Sequence, residues 1–152
     1  MLTSDRTVVT TATLDVVLDV AGRLRDADRT ELRLVTGEDP EHELCSALEH
    51  SLMCKAAFCA GRPYCIFGII AGDGCGILWG VSTDDAKHHA RDLIMLGRQW
   101  GGIVAPLFPY LYNLVWAGNT ASLRYVQAIG FRLLDPVEIG PERAIFYPIR
   151  RG

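Results

Sequence analysis

The chain has 152 residues, 49% of them hydrophobic and 22% charged, and carries a net charge of -3. That suits one domain with a packed core. It gives no electrostatic ground for nucleic acid or an anionic membrane as a partner, and the longest apolar runs, 66–71 and 111–117, are far too short to cross a bilayer. The first ten residues are polar and β-branched, without a basic segment leading into an apolar one, so the expectation is a cytoplasmic chain with no secretory signal.

Residues 7–11 are β-branched and predict a first strand. Leu14, Val17, Leu18, Ala21 and Leu24 fall at helical spacing, with Thr13 as cap. The mixed-charge run from Arg23 to Glu31 reads as a solvated tail of that helix. Gly37 to Pro40 is a break. Asp39 can cap and Pro40 start a second helix, with Leu44, Ala47, Leu48 and Leu52 on one face. A three-stranded antiparallel meander is expected next: 54–60 and 63–71 joined at Gly61-Arg62, then a turn at Gly72-Asp73-Gly74 into 76–82. Ser82 to Asp85 reads as a helix start. The helix that follows has Ala86, Ala90, Leu93, Ile94 and Gly97 on one face and ends near Gly101-Gly102. A strand 111–116, a short helix and two strands, 131–139 and 143–149, complete the chain. The order is β-α-α-β-β-β-α-β-α-β-β, a single α/β (α+β) domain with a mixed, mostly antiparallel sheet.

The five cysteines, Cys45, Cys54, Cys59, Cys65 and Cys75, form no Cys-x-x-Cys and have no histidine at zinc-finger spacing. They read as reduced, buried thiols, and no metal site is expected. His42 and His50 read as surface histidines, and the adjacent His88-His89 make a poor metal pair. Asp73 reads as a turn former, and Glu38 and Asp39 as helix-capping residues. No Gly-x-Ser-x-Gly elbow or Walker loop occurs, and Gly72 to Gly76 sits between strands, where it is a turn.

The most motif-like stretch runs from Asn119 to Phe131. A strand enters a turn at Ala117-Gly118-Asn119. Asn119 can cap a helix through its side chain, Leu123, Val126 and Ile129 form one stripe, and Gly130 ends the helix before Phe131 opens a new apolar run. This resembles the closing segment of the Gcn5-related N-acetyltransferase (GNAT) superfamily, whose element order the whole chain also shares. Asp28-x-x-Glu31-Leu32, the Gly68 strand, Ile77-Leu78-Trp79, and Asn113, Asn119 and Gly130-Phe131 are similar to a narrower group of small phage-encoded GNAT-like proteins, among them internal virion protein A. That resemblance implies a phage or prophage source, and a virion or host protein as partner.

The resemblance also implies acetyl-CoA as cofactor, with a glycine-rich pyrophosphate loop after the fourth strand. Small residues there let backbone N–H groups approach phosphate oxygens. The matching residues, Val81 to Arg91, contain no glycine, and Asp84 and Asp85 fall at the expected helix start, where they would repel a pyrophosphate. Val81, Ser82, Lys87, His88, Arg91 and Asn119 are the candidate cofactor-binding residues. The family's thiolate-protonating tyrosine aligns with Val126. Tyr125, one residue earlier, and Tyr112 on the preceding strand are the candidate catalytic residues. Two functions follow: an N-acyltransferase whose cofactor enters between strands 76–82 and 111–116, or a non-catalytic derivative of that fold serving as a virion or host-interaction component.

Overall fold

The computed structural model describes residues 6–152. Its sheet has eight strands: β1 (Val8–Thr11), β2 (Ser51–Cys59), β3 (Arg62–Ala71), β4 (Gly76–Ser82), β5 (Leu111–Trp116), β6 (Arg132–Leu133), β7 (Val137–Ile139) and β8 (Ala144–Arg151). They lie in the order β1-β2-β3-β4-β5-β8-β6, with β7 also on β8, and every pair is antiparallel except β4 with β5. The helices are α1 (Leu14–Ala21), α2 (Asp26–Thr36), α3 (Pro40–His50), α4 (Ala90–Val104) and α5 (Thr120–Ala128). The expected mixed, mostly antiparallel architecture is therefore the one observed.

β3 explains the layering. Pro63 to Ile69 are buried without interruption, as a strand covered on both faces must be. Cys65, Phe67 and Ile69 pack with Leu96, Trp100 and Val104 of α4 and with Ile129. Ile66, on the opposite face, packs with Val17, Val20 and Leu44 of α1 and α3. Fully burying one such side chain contributes roughly 1.5–3 kcal/mol.

Several local expectations are corrected. The charged run from Arg23 is no solvated tail: α1 stops at Ala21, and α2 is a separate helix that buries Asp28 and Leu34 and ends on left-handed Gly37. The β2–β3 turn is Ala60-Gly61, both at positive φ, rather than Gly61-Arg62. Leu52 lies exposed on β2, not on the α3 face. α4 runs on to Val104 and buries Leu96, Gly97, Trp100 and Gly101, a face set round from the expected one. Residues 131–139 hold two short strands, interrupted where Pro136 lacks the N–H a ladder needs. The five thiols are unpaired.

Candidate active site

The site begins where two strands part. β4 and β5 pair only at Gly76–Leu111 and Ile77–Tyr112. At the next residue the Asn113 side chain takes over: its Nδ2 donates to the Leu78 carbonyl at 2.7 Å, and its Oδ1 accepts from the Leu114 N–H at 2.7 Å. One amide thus satisfies both strands at the vertex of a V. Main-chain groups alternate along a strand. Leu78 and Ser82 bond toward the gap, so Gly80 between them presents its N–H and C=O there too.

α2 crosses the open end of the V. Arg25 N–H donates to the Ser82 carbonyl at 3.0 Å, which docks the start of the helix on the end of β4. Asp28 Oδ2 accepts from the Ser82 N–H at 2.9 Å, and Glu31 Oε1 accepts from the Trp116 N–H at 2.8 Å. Asp28 and Glu31 are one helical turn apart, the spacing that lets one helix reach both strands. The Arg25 guanidinium grips Asp28 at 2.7 Å and donates to Asn119 Oδ1 at 3.0 Å and Ser122 Oγ at 3.2 Å. Asn119 Nδ2 donates to Asp28 Oδ1 at 3.0 Å and Glu31 Oε1 at 3.4 Å. Asn119 is therefore not a side-chain cap. Its buried side chain joins α5 to α2, and only its main-chain carbonyl serves the helix, accepting from the Leu123 N–H.

The two carboxylates differ in environment. Asp28 is buried but ion-paired with Arg25. Glu31 has no ion pair among the described residues, only the more distant charge of Arg25. Burial raises its pKa from 4.5 to about 7; the Trp116 N–H lowers it and the Asp28 charge raises it. A carboxylate poised near neutrality in a gap between strands has the properties of a general base.

A largely apolar cavity of about 560 Å³ fills the space between the V, α4 and α5. Its wall includes Asp28 and Glu31 on the α2 side and Gly80, Leu93, Trp100 and Val126 elsewhere. Arg25, Lys87 and Arg124 supply positive charge. Trp100 Nε1 is buried with no acceptor among the described residues.

The sequence-chosen residues divide. Tyr125 lines the cavity, but its hydroxyl donates to the Leu93 carbonyl at 2.8 Å, and burial raises its pKa. Gly97 makes room for that hydroxyl, which any Cβ there would meet. Tyr112 sits where β4 and β5 are still paired and is not part of the wall. Val81, Ser82 and Lys87 are on the wall. His88 is exposed, with its carbonyl accepting from Arg6 at 3.3 Å; Arg91 is exposed in the first turn of α4 and lines a separate shallow depression. Asp84 and Asp85 do not begin that helix. They open a short 3-10 segment (Asp84–His89) capped by Thr83, and α4 starts at Ala90. Asp85 faces Arg62 at 3.6 Å and Arg23 at 3.8 Å. The Asp85 charge is thereby partly compensated, while Asp84 stays exposed. Glu31, Arg25, Asp28, Gly80 and Asn113 were not singled out for chemistry. The sequence signal was the helical spacing of Asp28, Glu31 and Leu34, hidden because two of the three are charged.

Among the solved structures that share this fold are acetyltransferases. A GNAT-family acetyltransferase from Bacillus anthracis superposes with a TM-score of 0.70 over 98% of this chain and 96% of its own, at 13% identity. The ribosomal-protein-alanine N-acetyltransferase of Brucella melitensis gives 0.69 over 95% and 98%, at 14% identity. This chain has the GNAT fold. AAC(6')-Ib, solved with ribostamycin and coenzyme A, gives 0.70 over 97% and 93%, at 13% identity. No family model matches the sequence, and no curated protein does. Among the described residues no helix is long and apolar enough to cross a membrane.

The residues present fit a coenzyme A thioester. The gap offers a strand edge at Gly80, the cavity is apolar enough for a pantetheine arm, and Lys87 and Arg124 supply positive charge for phosphates. Against the fit stand the absence of glycine between Val81 and Arg91 and the Ser82 and Trp116 amides already taken by Asp28 and Glu31.

Proposed function

We propose that this chain is an acyl-CoA-dependent N-acyltransferase with Glu31 as its general base. The observation that carries the reading is a cavity running into the gap between β4 and β5, with a carboxyl group of pKa about 7 on its wall. Bound acyl-CoA would supply an activated acyl group. Glu31 takes the proton that an amine must lose as it becomes an amide, and Gly80 N–H is placed to hold the acyl oxygen. Asn119 and the Arg25–Asp28 pair orient Glu31 and keep a second negative charge beside it compensated. Lys87, on the cavity wall, replaces by charge part of what the glycine-poor loop lacks in exposed amides, with Arg91 nearby in the first turn of α4. Tyr125 supplies the proton for the departing sulfur only by giving up its bond to Leu93, so its contribution is smaller than that of Glu31. Calorimetry with coenzyme A and acetyl-CoA tests the cofactor half of the reading. Thioester consumption with a panel of primary amines tests the other half. No heat at millimolar ligand removes it.

A second reading, a non-catalytic GNAT-fold component of a phage particle or a binder of a host protein, is favoured by one feature. The Ser82 and Trp116 amides at the open end of the V are already bonded to Asp28 and Glu31. Mass spectrometry of purified particles tests the virion form of that reading, and absence of the chain there excludes it.

A further inference from the structure

We infer that the acyl group reaches this site on the phosphopantetheine arm of a small acidic carrier protein, which docks on the basic outer face shared by α4 and α5. The inference rests on the proposed function and names its donor partner. α4 buries Leu96, Trp100 and Val104, which leaves Arg91, Met95 and Arg98 on its outer side. With Ile94 and Gln99 these residues line a shallow depression. α5 lies alongside: Arg98 Nε donates to the Ala128 carbonyl at 3.0 Å, and Gly97 is close to Tyr125 and Ile129. Ile94 lines both the depression and the cavity, so the one adjoins the other. Lys87 and Arg124, both exposed, stand on the cavity side. Lys87, Arg91, Arg98 and Arg124 thus make a basic strip beside the cavity, on a chain whose net charge is -3. The two helices hold little to offset it. α5 has no acidic residue, and Asp92, the only one on α4, lies about 100° round the helix from Arg91 and accepts from Thr7 Oγ1 at 2.7 Å.

Free coenzyme A finds less at the start of α4 than a carrier finds on the outer face. A diphosphate is held by a set of free backbone N–H groups. Val81 to Arg91 contain no glycine, the Ser82 N–H is taken by Asp28, and Asp84 stays exposed. A carrier's arm brings the same pantetheine and the same thioester with a single phosphodiester charge, so it asks less of that loop. The basic strip then meets the carrier's own acidic residues, which steers and orients the encounter. Met95, 37% exposed between Arg91 and Arg98, adds an adaptable apolar contact. Transfer balances as from any thioester. The amine nitrogen bonds to the acyl carbon as the C–S bond breaks, and Glu31 takes the amine proton. The sulfur leaves as a thiolate, takes up a proton and stays on the carrier.

The test is calorimetry of the full chain with three probes: coenzyme A, an acidic bacterial acyl carrier protein bearing its arm, and the same carrier without the arm. The armed carrier is expected to bind at least about tenfold tighter than coenzyme A and than the armless carrier. Its affinity should fall several-fold as salt rises from about 0.05 to about 0.3 M. Arg98→Glu should weaken the armed carrier about fivefold or more and change coenzyme A binding less than about twofold. Arg98 also holds Ala128, so Gln99→Glu, exposed on the same depression, is the second variant, with an expected loss of about twofold for the carrier alone. An armed carrier that binds no tighter than coenzyme A overturns the inference, as does an armless carrier that binds equally well. Equal losses for both ligands in the folded variants give the strip to the nucleotide of coenzyme A and also overturn it. So does a short DNA duplex that displaces the armed carrier. If coenzyme A binds but the carrier does not, only this inference fails. If neither binds, the proposed function fails with it.

Discussion

Replacing Glu31 by Gln should make the protein more stable and less active, and the stability gain should depend on pH. Burial holds the Glu31 pKa at about 7, against 4.5 for a free carboxyl. Between those values the folded state keeps a proton that the unfolded state has lost. The stabilising contribution of the protonated group is therefore complete below about pH 4.5 and is lost as pH rises through 7. The difference amounts to about 3 kcal/mol, working against the folded state above pH 7. Gln has no charge to desolvate, and its oxygen can still accept from the Trp116 and Asn119 N–H groups. Glu31→Gln and wild type should be nearly equal in stability near pH 4, and the variant should lead by roughly 2–3 kcal/mol at about pH 8, or some 5–10 °C in Tm. Urea unfolding followed by circular dichroism across that pH range measures it. The same variant should lose roughly 10²–10⁴-fold in acyl transfer, and the wild-type kcat/KM should rise through a pKa of about 7. A variant less stable than wild type at about pH 8, or a difference that does not change with pH, refutes the argument that desolvation governs this carboxyl.

Three further outcomes are expected. Asn119→Ala removes the link from α5 to Asp28, Glu31 and Arg25, and should cost about 1–3 kcal/mol in urea unfolding because buried polar groups lose their partner; a neutral effect would show the network to be incidental. Gly97→Ala places a methyl against the Tyr125 hydroxyl and should destabilise by roughly 1–3 kcal/mol, while adding Tyr125→Phe should recover part of that loss; additive effects in thermal melts would contradict the packing. Cys54 and Cys65, whose pKa values burial raises to about 11 and about 12, should react with a thiol reagent near neutral pH only after the less buried Cys45 and Cys59, as peptide mapping of partially labelled protein would show.

The strands that make the V were readable residue by residue. Gly76–Ser82 and Leu111–Trp116 are mainly apolar runs between turn signals, the second broken only by Asn113, and local chemistry sets their ends. Gly130 was readable for the same reason: a helix that must stop in the left-handed region asks for glycine. What the sequence hid was the partner of each polar residue. Asp28 and Glu31 look solvated beside three arginines, but they are placed by Ser82 and Trp116, more than fifty residues away. Asn119 carries the signature of a capping residue, and a cap bond is a local alternative that tertiary contacts overrode. Asp84 and Asp85 were assigned to the helix start because nothing in the sequence separates a 3-10 turn from the first turn of an α-helix.

The most direct test of the account is a crystal structure of the protein with coenzyme A. The account predicts the sulfur in the gap between Gly80 and Leu114, the pantetheine arm between α4 and α5, and the phosphates near Lys87 and Arg124. Coenzyme A bound elsewhere on the molecule, or a gap that stays free of ligand at saturating concentration, would contradict it.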